Sequence, residues 1–413
     1  MNDWHVSYGG TVKLQGSKSI LQRVMLIASL MEYIELEPFS DCDDVVMMYD
    51  ILKTFGCRFE KEGQYLKIIQ PSHYPYHLEY QISGSATALR FWFARAVINE
   101  HTISEIRAVD PLSLRPIKPL LQGLRYLGAD IAGDRYPYRV AGKVMNGGEI
   151  EITANISSQF ISALLMVAPY FQRGLKLKWT TPPVSYGYVK MTITIMRELG
   201  VNVIEREKEL IVLPGQKYTY AGVYQVEPDL SSASYFAALG AISDQYITIP
   251  YHKTNSIQPD FRIFQILIRM GANVQFTGLG YRIIRKVLKG ITYDMSTNPD
   301  LVPTIACLAL LAEGETRLLN VHHLKYKESD RIQALLEEIS SIGGKIVYEN
   351  GNLVIQQLEQ APPARILKTY QDHRLVMAFS LLQVVFPQLR LDDESAVSKS
   401  FPGFFIELNK LKK

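Results

Sequence analysis

The sequence predicts an α/β chain in two similar halves, with three small repeats in each. Three observations predict it. The chain has 413 residues, too many for one ordinary core, so two domains are the natural expectation. A glycine recurs behind an amphipathic helix pattern at a nearly constant step. A second series of small polar or acidic residues opens apolar helices at a similar step.

The glycines justify the repeat. Segments 50–56, 120–128, 194–200, 263–271 and 335–343 each read as the end of an amphipathic helix closed by a glycine. Gly56, Gly128, Gly200, Gly271 and Gly343 are separated by steps of 72, 72, 71 and 72. A helix C-cap needs a left-handed residue there, which glycine supplies at little steric cost. Strand-like runs such as 129–131 and 201–204 follow. A sixth glycine would fall just past the last residue, behind a helix-like 404–413, so the sixth unit reads as cut at its helix.

The helix starts justify the halves. They lie at Ser17, Ser85, Ser157, Ser231, Asp300 and Asp372, with steps of 68, 72, 74, 69 and 72. Each alone is an ordinary N-cap. Six like starts imply six like units. A period this long holds two helices and several strands, which makes each unit a small α/β fold and not a solenoid turn. If the buried helices of each half run parallel, two halves facing each other would make a cleft rich in positive helix ends, a site for polyanions.

Cations stand near these starts. Lys18 and Arg23 lie at the first, Arg90 in the second helix, and Arg115 before Pro116. Lys327 and Arg331 flank Glu328-Ser-Asp, Arg374 follows Asp372-His, and Lys399 precedes the last helix. One such residue is an ordinary surface charge. Several beside helix N-termini are unfavourable unless an anion compensates. The arginine fork and the lysine point charge suit phosphate or carboxylate.

Composition narrows the classes. Apolar residues make up 47% and charged residues 21%, and the net charge is +3 with no basic run. No nucleic-acid partner is expected. Cys42, Cys57 and Cys307 are isolated and odd in number, which argues against disulfides or structural zinc and fits a reducing compartment. The N-terminus lacks a signal-peptide pattern, and the longest apolar runs are too short to span a bilayer. The expected setting is cytoplasmic, with no membrane association. His322-His323 is adjacent and not helically spaced, so no metal pair is expected there.

At these same residues the sequence resembles the 3-phosphoshikimate 1-carboxyvinyltransferase (EPSP synthase) family. Gly16-Ser-Lys-Ser with Arg23 looks like its first signature. Leu114-Arg-Pro-Ile with Leu127-Gly-Ala, Ser157-Ser-Gln and Val226-Glu-Pro-Asp-Leu-Ser-Ser-Ala-Ser-Tyr are similar to later blocks. Lys327-Glu-Ser-Asp-Arg331, Asp372-His-Arg374 and Lys399-Ser-Phe-Pro complete seven ordered matches along the whole chain.

The resemblance implies an inside-out α/β barrel in two domains, the enolpyruvyl transferase fold, with six βαβαββ repeats, three per domain. Residues 17–226 would form one domain and 1–16 with 227–413 the other, with crossings near 15–16 and 226–229. It also implies transfer of the enolpyruvyl group of phosphoenolpyruvate to the 5-hydroxyl of shikimate 3-phosphate, without cofactor or metal, by a monomer. Lys18, Ser19, Arg23, Ser157, Ser158, Gln159, Ser185, Asp300 and Lys327 match phosphoshikimate contacts, and Tyr188 would add a wall. His323 stands in place of a family Asn at that ligand. Lys18, Gln159, Arg115, Arg331, Arg374 and Lys399 match the phosphoenolpyruvate side, where Ala86 also lies.

The chemistry is addition followed by elimination. An acid protonates C3 and later takes a proton back, while a base relieves the hydroxyl; two carboxylates in different settings suit this. Glu328 is the expected acid, Asp300 the base, and Lys18 shares proton transfer and stabilises the leaving phosphate. Spacing alone would also allow Glu328 and Arg331 to be a surface helix pair.

The loop Ser83-Gly-Ser-Ala-Thr-Ala-Leu-Arg90 departs from the family's GNAGTxxR. Gly84 replaces Asn and Ala86 replaces Gly, so an added methyl is expected to narrow the phosphoenolpyruvate site and weaken the bulkier inhibitor glyphosate. Gln15 and Gln22 replace Pro and Asn. Two alternatives are enolpyruvyl transfer to UDP-N-acetylglucosamine, whose loop cysteine has no counterpart here, and a non-catalytic phosphoshikimate-binding homologue, suggested by the altered loop.

Overall fold

The structure, a computed structural model, describes residues 5–413. The chain divides into two compact units. One is Gln15–Glu227; the other is Pro228–Lys413 with the segment ending at Leu14.

The unit Gln15–Glu227 carries helices α1 (Lys18–Ala28), α2 (Asp43–Phe55), α3 (Ala86–Ala96), α4 (Lys118–Tyr126), α5 (Ser158–Val167) and α6 (Tyr186–Glu198). Its strands form three four-stranded sheets with one plan: a parallel pair extended by two antiparallel strands. Strand His77–Ile82 runs parallel to Ile103–Ala108, followed by Tyr138–Ala141 and Asp130–Ala132. Strand Gly148–Ile152 runs parallel to Leu175–Trp179, followed by Glu209–Val212 and Val203–Arg206. In the third sheet the leading strand comes from the far end of the unit. Val223–Gln225 pairs parallel with Tyr33–Glu37, ahead of Tyr65–Ile69 and Arg58–Glu62. Strand His77–Ile82 alternates exposed and buried residues, as a sheet with one face on the core requires.

The other unit carries α7 (Leu230–Ile242), α8 (Ile263–Arg269), α9 (Val302–Ala309), α10 (Arg331–Ser341), α11 (His373–Val385) and α12 (Phe404–Leu411). Two sheets repeat the four-stranded plan. Gly10–Thr11 leads Ile247–Ile249, Gly280–Ile284 and Asn273–Thr277; Thr292–Asp294 leads Glu315–Leu319, Asn352–Gln356 and Ile346–Glu349. The last sheet pairs only Arg365–Leu367 with Leu389–Leu391. All thirteen residues of α7 and all eight of α9 are buried, which explains why neither carries a charged face. No helix among the described residues is long and apolar enough to cross a membrane.

The repeat markers sit where their chemistry requires. Gly56, Gly128, Gly200, Gly271 and Gly343 all have left-handed φ, from +84° to +107°. Ser85, Ser157 and Asp372 are N-caps whose side chains accept an amide of their own helix, while Ser17 occupies the cap position of α1 without such a side-chain bond. Two expected starts are displaced. Asp229, two residues before Ser231, caps α7, its carboxylate accepting from the Ser232 amide at 2.7 Å. Asp300 lies in a 3-10 turn, Pro299–Leu301, ahead of α9 and not at its cap. The expected helix 404–413 ends at Leu411.

Candidate active site

In the unit Gln15–Glu227 the helix N-termini are laced together by side chains. Lys18, the first residue of α1, is buried and pairs with Asp44 in the first turn of α2, Nζ to Oδ2 2.7 Å. Gln22, one turn on, donates to the Asp44 carbonyl and to the hydroxyl of Ser85, the cap of α3. The longer glutamine thus reaches across two helix starts. Arg90 of α3 donates to the side chain of Gln159 at 2.6 Å, to the Ser157 hydroxyl, and to the Pro116 carbonyl beside Arg115. Gln159 in turn donates to Thr87.

Arg23 is 2% exposed. It donates to Thr192 of α6 at 2.7 Å and to the carbonyls of Ser19 and Tyr188, and its guanidinium lies over the Phe91 ring. Burial lowers its pKa to about 10, which leaves it charged at neutral pH. Ser185, cap of α6, holds a left-handed φ of 55° that a serine rarely adopts, a cost typical of sites that must aim a side chain. Ser158, Ser185 and Tyr188 are buried, while Ser19, Ser157, Gln159 and Arg115 are partly exposed. Ala86 is the first residue of α3 and is buried. Gly84, two residues earlier, takes φ +65°, a region that the family's asparagine also tolerates.

The other unit builds a denser cluster. Arg331, with no exposed surface, opens α10 and is held on every side. It donates Nε and Nη2 to the two oxygens of Asp372 at 2.7 and 3.1 Å, Nη2 also to Glu328 at 2.9 Å, and Nη1 to Asp300 at 3.1 Å. Glu328 therefore lies outside the helix against a buried guanidinium; the surface helix pair does not form. Lys399 Nζ stands 3.7 Å from the other Glu328 oxygen. Arg374, on α11, donates Nη2 to Asp300 at 2.6 Å and reaches the Tyr235 hydroxyl.

Asp372 organises both arginines. It is fully buried, caps α11 through the Arg374 amide, and accepts from Ser329. Two successive non-glycine residues just before it, Tyr370 and Gln371, adopt left-handed φ of 54° and 53°. The Tyr370 hydroxyl is fastened to Glu337 and Glu338, which helps hold this unfavourable stretch.

The charges set the ionisation. Burial works against the Asp300 carboxylate, but Arg374, Lys327 and Arg331 overcome it and hold its pKa below the ordinary range. Asp260 goes the other way: burial and the charge of Asp300 push it up to about 6. His323 is 1% exposed, and burial, Lys327 and His322 push its pKa down to about 3, so it is neutral at pH 7.

A family model described as EPSP synthase (3-phosphoshikimate 1-carboxyvinyltransferase) matches residues 6–408. The chain belongs to the EPSP synthase family. It is 33% identical to the 3-phosphoshikimate 1-carboxyvinyltransferase of Vibrio campbellii over 97% of this chain and 96% of that protein. It is also 33% identical to that of Proteus mirabilis, over 97% and 95%. The fold matches the EPSP synthase of Acinetobacter baumannii with a TM-score of 0.79 at 21% identity, covering 99% of this chain and 96% of that one. It also matches the enolpyruvyl transferase NikO of Streptomyces tendae with a TM-score of 0.73 at 15% identity, covering 99% and 96%.

For this EPSP synthase family member, sequence reading missed three carboxylates that the fold places beside the expected residues. Asp44 neutralises Lys18, Asp372 anchors Arg331, and Asp260 sits near Asp300 and Arg374. Asp372 carries a signal in the Asp-His-Arg block, but local chemistry marks it only as a cap. Asp44 and Asp260 resemble ordinary acids at helix starts, and their partners are set by tertiary contacts.

Proposed function

We propose that the chain transfers the enolpyruvyl group of phosphoenolpyruvate to the 5-hydroxyl of shikimate 3-phosphate and releases inorganic phosphate. The hydroxyl oxygen bonds to C2 while C3 gains a proton, giving a tetrahedral phosphate ketal. Loss of a C3 proton and of phosphate then yields the product. The observation that carries this reading is the chain of ion pairs that links Lys399 to Glu328, Glu328 to Arg331, Arg331 to Asp300 and Asp300 to Arg374, a cluster of two carboxylates and three cations.

The chemistry assigns roles to this set. Glu328, between Arg331 and Lys399, is the acid at C3 and takes the proton back in the second step. Arg374, Arg331, Lys399 and Arg115 hold the anionic groups of phosphoenolpyruvate. Asp300 is the base at the hydroxyl. Its two arginine partners weaken it as a base; an anionic ligand that takes Arg374 for itself strengthens it. Lys18 compensates the leaving phosphate. Lys18, Ser19, Arg23, Ser157, Ser158, Gln159, Ser185, Tyr188, His323 and Lys327 hold the phosphoshikimate. The working form is a cytoplasmic monomer.

Phosphate release from both substrates tests this. Turnover in the wild type, lost by at least a hundredfold in Glu328→Gln with phosphoshikimate binding intact, supports it. Binding of phosphoshikimate by a wild type that releases no phosphate would favour a non-catalytic binding protein. Preference for UDP-N-acetylglucosamine as acceptor would reassign the substrate.

A further inference from the structure

We propose that Asp260 is a positioning residue that tunes the Asp300–Arg374 pair and thereby sets how strongly Arg374 holds an anionic ligand; the inference rests on the roles just proposed for that pair.

The geometry comes from one helix and two short turns. Asp260 lies in a 3-10 turn, Pro259–Arg262, that leads into α8, and it is 1% exposed. Ser231 of α7 donates its hydroxyl to the Asp260 carboxylate. Tyr235, one turn further along α7, meets the guanidinium of Arg374. The same helix therefore braces both groups. Asn298, fully buried, donates to the Pro259 carbonyl and ties the turn of Asp260 to the turn that carries Asp300. The groups acting on Asp260 are Asp300 ahead of α9, Arg374 on α11, Ser231 on α7 and Asp229 at its cap.

Two carboxylates near one guanidinium compete for it. With a proton on Asp260, Arg374 serves Asp300 and any incoming anion. Without that proton, a second negative charge draws on Arg374 and repels charge on Asp300. Burial and Asp300 place this change near pH 6, while Arg374 and the Ser231 hydroxyl oppose them. Loss of the proton as pH rises should weaken anion binding and make Asp300 a stronger base.

The test compares phosphoenolpyruvate affinity, by calorimetry, for wild type and Asp260→Asn from pH 5 to 8, with kcat measured in parallel. The ligand's own phosphate titrates in this range for both proteins, so the ratio of dissociation constants isolates Asp260. The expected ratio, wild type over variant, is near unity at pH 5 and about fivefold at pH 8, with kcat of the variant lower at pH 8. A ratio that stays flat overturns the proposal. Should Asp260→Asn fail to fold, Ser231→Ala serves. Losing the donor to the charged carboxylate should move the fall in affinity to higher pH, and an unmoved midpoint overturns the proposal. A wild type that turns over while the ratio stays flat sinks this inference alone; a wild type that neither binds phosphoenolpyruvate nor releases phosphate sinks the functional reading with it.

Discussion

Arg374 Nη2 lies 2.6 Å from one oxygen of Asp300, and Arg331 Nη1 lies 3.1 Å from the other. Each carboxylate oxygen is thus claimed by a different guanidinium, and both guanidinia belong to the proposed anion site. The base at the hydroxyl is weakest when the anion is absent. Ligand charge and base strength are coupled through the same arginines.

Replacing Arg374 with Gln should therefore act mainly on phosphoenolpyruvate. A charge-assisted hydrogen bond contributes about 1.5–3 kcal/mol, so KM for phosphoenolpyruvate should rise roughly ten- to a hundredfold. Steady-state kinetics at saturating phosphoshikimate would show this, with KM for phosphoshikimate little changed.

Asp372 should matter most for stability. Asp372→Asn removes the bidentate charge partner of a guanidinium with no solvent access, and a broken buried pair costs about 3–5 kcal/mol. Urea unfolding at pH 7 should show a loss of this size. Asp392→Asn, altering an exposed residue whose carboxylate accepts from Thr369, should lose far less.

Asp300 and Asp260 should give pH dependences of opposite sign. The folded pKa of Asp300 is depressed, so its contribution to stability is present above the unfolded value of about 3.9 and fades as pH falls below it. Asp300→Asn should destabilise at pH 7 and become neutral in acid. The folded pKa of Asp260 is raised to about 6, so the native state is penalised as pH rises from about 4 to 6. Asp260→Asn should be the more stable protein at pH 7 and lose that advantage below pH 4. Thermal unfolding across about pH 2–8 would show the Asp260 change in full and the onset of the Asp300 decline.

His323 adds an acid-sensitive term. Its folded pKa is depressed to about 3, so stability is full above the unfolded value of about 6.5 and declines as pH falls below it. His323→Asn, which restores the family residue, should flatten this decline between pH 6 and 4. An unchanged pH–Tm curve would count against a buried neutral imidazole.

Ala86 sits at the first position of α3 with its methyl buried. Ala86→Gly should lower the inhibition constant for glyphosate by about tenfold, the effect of relieving roughly 1.4 kcal/mol of crowding. KM for phosphoenolpyruvate should change much less. Inhibition assays of the two proteins side by side would decide this.

By itself the sequence determined the repeat, because its markers are local. A glycine past a helix end and a serine or aspartate before a helix start report on backbone angles and amide donors within a few residues. The spacing of Glu328 and Arg331 was equally readable, and so were the cations near helix starts. Tertiary structure alone decided what those charges touch. Arg23 meets Thr192 and Arg331 meets Asp372 across 169 and 41 residues, and no local rule predicts either partner. It also decided the ionisation of Asp300, Asp260 and His323, because desolvation and Coulomb terms depend on burial and on charges brought in from other helices. The same distinction explains the displaced start at Ser231. A nearby carboxylate, Asp229, accepts the amide of Ser232, the third residue of α7, so the helix starts at Leu230 and Ser231 lies inside its first turn.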